Sequence, residues 1–128
     1  MFKTELTVRR IIGVKNCWQT AQPLVWSDGK DEIIVPAGFI YDGASVPAIF
    51  TSVLPKAGAR YDRAACLHDF FYATRKFDRK KCDEIFYEAM KYDKVAQWKA
   101  WIIFKSVRVF GGKAYSDHKA LDPEKIKI

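Results

Sequence analysis

The order of secondary-structure signals along the chain is the feature that most limits its fold. The first 40 residues are rich in Thr, Val and Ile, and the pair Asp28-Gly29 predicts a hairpin between two short strands. From about residue 60 onward, apolar residues recur with the spacing of amphipathic helices. Strands followed by helices favour an α+β fold. We therefore predict a small N-terminal antiparallel sheet of three or four strands, followed by three main helices packed on it.

Capping signals place the helix boundaries. Asp78 is a favourable N-cap, and Gly111-Gly112 predicts the end of the last helix. The predicted helices run from about Arg60 to Thr74, from just after Asp78 to about Lys91 and from about Lys94 to Phe110. A length of 128 residues fits one core, so we predict a single domain over residues 1–115 and a polar, loosely held tail over residues 116–128.

The first helix carries polar residues among apolar ones. His68 and Tyr72 are four residues apart, so they lie one turn apart on a face that is otherwise small and apolar. Asp83 adjoins the apolar stripe of the second helix, where an unpaired carboxylate is costly. The loop between these helices is short, so we expect antiparallel neighbours with His68 within hydrogen-bonding distance of Asp83.

This pairing is compatible with two roles. An imidazole bonded to a carboxylate through one nitrogen keeps the other nitrogen oriented and basic, as a general base requires. A buried His–Asp–Tyr network can equally serve only to hold two helices together. The residues leave both roles open. In either case we expect Asp83→Ala to destabilise the fold by about 1–3 kcal/mol, because a buried donor loses its acceptor.

Asp69 is a candidate ligand for a cation. It lies about 100° around the helix from His68, and Asp42-Gly43 predicts a tight turn in the preceding loop. Carboxylate and carbonyl oxygens are the ligands that Ca²⁺ takes in proteins. We predict a weak calcium site at Asp69, Asp42 and Gly43, with an affinity on the order of 10⁻⁴–10⁻³ M.

Two short motifs resemble the secreted phospholipase A₂ family, in particular its disulfide-poor bacterial and fungal branch. They are "HDFFY" at residues 68–72 and "CDEIF" at residues 82–86, within a likeness that covers residues 41–86. The roles that this resemblance implies are general base for His68, calcium ligand for Asp69, calcium-binding loop for the backbone near Gly43, and orientation of the base for Asp83 and Tyr72.

A second resemblance spans nearly the whole chain. The segments "DGASVP", "AACLHDFFY" and "VRVFGGKAY", with an Asp in an amphipathic helix between the last two, resemble a domain family of unknown function found in tailed phages and prophages. This resemblance implies a phage or prophage origin and no particular activity. It places synthesis in the cytoplasm of a bacterial host and leaves incorporation in the virion open.

The third helix has a predicted outward face that combines tryptophan with basic residues. Its members are Trp98, Trp101, Lys105 and Arg108. Such a face suits an anionic membrane interface, and it equally suits another phage or host protein, because Trp and Arg are favoured interface anchors. The rings could instead cover the sheet or the tail.

Charge and composition restrict the classes of function and partner that this chain can have. A net charge of +7 favours acidic partners, including nucleic acid, but the chain has no recognisable nucleic-acid-binding motif. The longest apolar run, Trp101 to Phe104, is far too short for a transmembrane helix, and the N-terminus lacks the apolar stretch of a secretory signal. Cys17, Cys66 and Cys82 are widely spaced and odd in number, so we expect buried thiols rather than disulfides or a zinc site.

Three functions remain in competition. The first is a calcium-dependent ester hydrolase acting on lipid during phage entry or lysis. The second is a non-enzymatic tail or head accessory protein in which the His, Asp and Tyr side chains are structural. The third is a small effector that binds a host factor or nucleic acid through its basic surface.

Overall fold

The computed structural model describes residues 1–13, 17–41 and 61–117. Five short strands precede three helices in this part of the chain, which confirms the predicted α+β class. The strands are β1 (Val8–Arg10), β2 (Trp18–Thr20), β3 (Leu24–Ser27), β4 (Glu32–Val35) and β5 (Ile40–Tyr41). The helices are α1 (Asp62–Thr74), α2 (Arg79–Tyr92) and α3 (Gln97–Asp117).

The strands form two antiparallel sheets rather than one. β2 pairs with β1 on one side and with β5 on the other, and β3 pairs with β4. The predicted hairpin is the β3–β4 pair, in which Ser27 lies opposite Glu32. Asp28 fixes its turn because Oδ1 accepts hydrogen bonds from the backbone amides of Lys30 and Asp31, at 2.9 and 2.8 Å. Gly29 adopts the positive φ of 96° that this turn requires.

The first two helices end near the predicted residues. Asp78 caps α2 as expected, because its Oδ1 accepts the amide of Lys81 at 2.8 Å. α1 ends at Thr74, and the C-cap residue Arg75 takes the left-handed conformation with φ of 50°. The connection between the helices is therefore short, and α2 folds back against α1.

The predicted end of the third helix is wrong. α3 continues through Gly111 and Gly112 to Asp117, so it also includes the first two residues assigned to the tail. Gly111 is needed for close packing rather than for termination, since a Cβ at this position would lie 2.9 Å from the Tyr72 hydroxyl of α1. Residues 118–128 lie outside the described part of the chain.

A buried apolar cluster joins both sheets to the three helices. The strands and the residues next to them supply Phe2, Leu24, Trp26, Ile33, Val35, Phe39 and Tyr41, and the helices supply residues such as Leu67, Phe71, Phe86, Met90, Ile103 and Val107. The three cysteines are buried, as predicted. The polar side chains of interest lie within this core, on its helical side.

Candidate active site

Asp83 of α2 is the centre of a buried polar network. Its Oδ1 lies 2.7 Å from Nε2 of His68 and accepts a hydrogen bond from the Tyr72 hydroxyl at 2.5 Å. The side chains of all three residues are wholly buried. The pairing expected from the helical spacing is therefore present, since α1 directs His68 and Tyr72 towards the Asp83 side of α2.

Aromatic neighbours hold the imidazole in place. The Phe86 ring stacks on His68 with 4.4 Å between the ring centroids. The centroid of the Tyr72 ring lies 4.2 Å from that of His68. Phe86 is three residues after Asp83 and lies on the same face of α2. The two residues thus act on the imidazole together, Asp83 through a hydrogen bond and Phe86 through packing.

Arg108 is the fourth member of the network, although its position in the sequence predicted a place on the outward face of α3. We expected its side chain on the outward face of α3. The guanidinium instead turns towards the core, and Nη1 donates to Oδ2 of Asp83 at 2.8 Å, leaving the side chain only 29% exposed. A long side chain at the edge of a helix face can reach inward while its Cα faces outward, so periodicity alone missed it. The unpaired charge of a buried Asp83 was the available signal that a cation had to be near.

The network keeps Asp83 ionised. Burial raises the pKa of the Asp83 carboxyl, but the hydrogen bonds from His68, Tyr72 and Arg108 outweigh burial and hold this pKa below its usual value. For Tyr72, burial and the hydrogen bond to Asp83 both raise the pKa of the phenol, which stays protonated and donates. Because an ionised carboxylate only accepts hydrogen bonds, the proton between His68 and Asp83 is carried by Nε2.

Gly111 and Arg79 bring α3 close to the network. The Tyr72 hydroxyl occupies the space that a side chain at position 111 would need. The Arg79 guanidinium donates to the α3 carbonyl oxygens of Val107 and Arg108, at 3.4 and 3.0 Å. These contacts fix the part of α3 from which Arg108 reaches Asp83.

Asp69 is buried on α1, a helix that contacts β5. Burial raises the pKa of the Tyr41 phenol, and the negative charges of Asp62 and Asp69 raise it further. Asp69 thus lies near the last described residue before the predicted calcium-binding turn. Asp42 and Gly43, the other two predicted ligands, lie outside the described residues.

Arg63 and Arg75 flank Asp69 in the sequence, and both donate to other acceptors. Arg63 binds both carboxylate oxygens of Asp93, and Arg75 donates to the carbonyl oxygens of Tyr115 and Ser116. Across residues 1–13, 17–41 and 61–117, no three His, Cys, Asp or Glu side chains converge on a common cation site. A calcium site made of one carboxylate and backbone carbonyls does not require such a group, so the described residues are compatible with one.

Residues 18–107 match a family described as a protein of unknown function, DUF1353. The chain belongs to the DUF1353 family. The matched residues of this DUF1353 domain include His68, Asp69, Tyr72 and Asp83, and they end immediately before Arg108.

One curated relative is the "Uncharacterized protein y4jT" of Sinorhizobium fredii (strain NBRC 101917 / NGR234). It is 35% identical to the DUF1353 chain over 79 residues, which cover 60% of this chain. The chain spans only 23% of the length of that relative. No solved structure matches.

The predicted outward face of α3 is exposed at three of its four positions. Trp98, Trp101 and Lys105 face away from the core, and Arg108 is the exception already described. None of the helices within the described ranges is long and apolar enough to cross a membrane. The DUF1353 domain therefore combines a buried His–Asp–Tyr–Arg network with an exposed face on the helix that supplies the arginine.

Proposed function

We propose that this chain is a phage- or prophage-encoded hydrolase of lipid esters in which His68 activates water. The observation that carries the proposal is the hydrogen bond between His68 Nε2 and Asp83 Oδ1, at 2.7 Å. Together with the Tyr72 hydroxyl bond to the same oxygen, it matches the arrangement that the phospholipase A₂ resemblance implies. The phage assignment is supported by the second sequence resemblance, through segments such as "DGASVP" and "VRVFGGKAY".

The chemistry follows from the tautomer. With Nε2 protonated towards Asp83, Nδ1 of His68 takes a proton from water as the water oxygen attacks the ester carbonyl carbon. The resulting oxyanion collapses, the bond from carbon to the alcohol oxygen breaks, and His68 returns the proton to that leaving oxygen. Asp83 stabilises the imidazolium and is itself held by Tyr72 and Arg108, which are positioning residues.

Calcium would be held by Asp69 and by backbone carbonyls near Asp42 and Gly43, where the sequence predicts a turn. A bound Ca²⁺ would supply positive charge to the carbonyl oxygen of the ester, where negative charge develops. One firm carboxylate implies weak binding, on the order of 10⁻⁴–10⁻³ M. Activity would then require millimolar calcium, and this requirement would depend on Asp69.

The test is hydrolysis of phospholipid vesicles in millimolar CaCl₂, with released fatty acid and lysophospholipid measured by mass spectrometry. His68→Gln should abolish turnover, because glutamine cannot take the proton, and circular dichroism should confirm that the variant folds. Asp69→Asn should weaken the calcium dependence. Lys30→Gln, a change in the exposed hairpin turn, is the matched control and should leave turnover unchanged.

The hydrolase proposal fails if the folded wild-type chain releases no fatty acid from zwitterionic or anionic vesicles at any calcium concentration. It also fails if His68→Gln retains full turnover. In the second case the hydrolysis has another source, such as a contaminating lipase.

A second candidate function is a non-enzymatic phage accessory protein of the head or tail. The observation that favours it is the complete burial of His68, together with the engagement of both Asp83 oxygens by donors from α1 and α3. In this case the network only fastens three helices together. His68→Gln would then lower the free energy of unfolding, no hydrolysis would be measured, and the chain would be found by mass spectrometry in purified virions.

A further inference from the structure

The exposed side of α3 carries large apolar side chains that the core does not use. We call this surface the tryptophan face; it consists of Trp98, Trp101, Ile102, Lys105 and Val109. Trp98 is 60% exposed, Trp101 52% and Val109 70%. Gln97, Trp98, Trp101 and Ile102 line a shallow groove of about 650 Å³ at one end of it. Contiguous exposed apolar patches commonly mark sites that bind a protein, a membrane or a ligand.

The stretch of chain that carries this face has charges of one sign. Residues 94–116 contain no Asp or Glu, and their cations are Lys94, Lys99, Lys105, Arg108 and Lys113. Two of these cations lie over the indole rings: Nζ of Lys99 is 5.4 Å from the Trp98 ring centroid, and Nζ of Lys105 is 5.4 Å from that of Trp101. Each indole is thus accompanied by an ammonium group, within a segment that repels other basic surfaces.

We propose that the tryptophan face docks on an anionic lipid surface, with α3 lying in the plane of the bilayer interface. Indole rings favour the headgroup region, because an apolar ring and a polar N–H are both accommodated there. Lysines beside them gain from the negative potential of anionic lipid. A second copy of this chain is a poor occupant, since two tryptophan faces would bring their lysines together without a carboxylate among residues 94–116 to pair them.

Docking through this face also connects the lipid to the network. Arg108 is seven residues after Trp101, so both lie near the same line along α3. Arg108 nevertheless turns its guanidinium to Asp83. The helix that binds the lipid surface would therefore be the same helix that donates the Arg108 hydrogen bond to Asp83. The choice of lipid as occupant rests on the proposed function, but binding and hydrolysis are measured separately, so either can fail alone.

The experiment is co-sedimentation of the full chain with phosphatidylcholine vesicles, with or without phosphatidylglycerol, in the absence of calcium. The wild type should partition onto the vesicles that contain phosphatidylglycerol. Lys99→Glu/Lys105→Glu and Trp98→Ala/Trp101→Ala should each lower the partition coefficient at least about tenfold, because two lysines or two indoles contribute together. The matched control is Lys3→Glu/Lys30→Glu, which makes the same charge change at exposed positions of the sheet side and should bind more tightly than Lys99→Glu/Lys105→Glu.

Three outcomes would overturn the proposal. One is a wild type that does not bind anionic vesicles at up to millimolar lipid. Another is an equal loss of binding in the two lysine double variants, which would mean that net charge alone matters. The third is a wild type that sediments as a dimer while Trp98→Ala/Trp101→Ala sediments as a monomer, which would assign the face to a second copy of the chain. All variants are judged only after circular dichroism confirms that they fold.

Discussion

Arg108 Nη1 donates to Asp83 Oδ2 across 2.8 Å, and this bond joins α3 to a carboxylate that α1 already binds. One buried side chain of α2 is therefore shared by all three described helices. A buried charge is costly unless it is paired and hydrogen-bonded, and here the pairing is distributed over three donors from two neighbouring helices. The stability of the helical part of the chain should accordingly be sensitive to each donor.

Replacing Arg108 tests the ion pair directly. Arg108→Met keeps much of the apolar stem but leaves Oδ2 of Asp83 without its charged donor, so we expect a loss of about 1–3 kcal/mol in the free energy of unfolding. Arg108→Lys should recover part of this loss, because the ammonium keeps the charge but not the fork geometry. Denaturant melts measure both. Lys105→Met on the exposed side of α3 is the control and should change stability by less than about 0.5 kcal/mol.

Removal of the shared acceptor should cost more than removal of one donor. Asp83→Ala leaves His68, Tyr72 and Arg108 without their partner, and we expect a loss of about 3 kcal/mol or more. This loss of stability is larger than the about 1–3 kcal/mol expected from the sequence, because that expectation counted only one donor to Asp83. An unchanged midpoint in urea would contradict the buried network itself.

Acid should weaken the fold through the same residue. The pKa of Asp83 is lower in the folded chain than its ordinary value, and an unfolded Asp has a pKa of about 3.9. The ionised carboxylate therefore contributes stability that is fully present above about pH 5 and is lost as the pH falls through the folded pKa. Urea melts between pH 2.5 and 7 should show the stability difference between the wild type and Asp83→Asn shrinking below about pH 4. A difference that stays constant over this range would exclude ionisation of Asp83 as its cause.

The two adjacent glycines of α3 should respond in opposite ways to alanine. A Cβ at Gly111 would lie 2.9 Å from the Tyr72 hydroxyl, so Gly111→Ala should destabilise by about 1–3 kcal/mol through overpacking. At Gly112 the nearest atom is Arg79 Nη1 at 3.6 Å, an ordinary contact. Gly112→Ala should therefore stabilise by about 0.5–1 kcal/mol through helix propensity.

A second-site change gives this prediction an internal check. Tyr72→Phe removes the oxygen that a Cβ at position 111 would approach. Gly111→Ala should then cost less in the Tyr72→Phe background than in the wild type, and a double-mutant cycle measures the difference. Additive effects would mean that the two residues do not meet.

The core of the candidate site could be predicted from the sequence because it depends on helical spacing. His68 and Tyr72 are one turn apart, and a short connection returns α2 to the same side. A buried carboxylate on the facing helix then has few partners other than these two. Local rules were sufficient because every step involved neighbouring elements.

The remaining features depend on contacts that local rules do not contain. The Gly111-Gly112 pair has the composition of a helix C-cap, yet α3 continues through it because the first glycine lies against Tyr72. Arg108 has the position of a surface residue, and only the approach of α2 gives its guanidinium an acceptor. The division of the strands into two sheets likewise follows from long-range pairing that short, weakly alternating segments do not specify.

The partners of Asp83 are also close in the chain. His68, Tyr72 and Arg108 are 15, 11 and 25 residues away from it, whereas the hydrogen bond from Arg63 to the Thr4 carbonyl joins residues 59 positions apart. Closing short loops costs less chain entropy than closing long ones, and local topologies fold faster. The helical hairpin around Asp83 should therefore form first during folding, and attachment of the N-terminal segment should follow as the slower, later event.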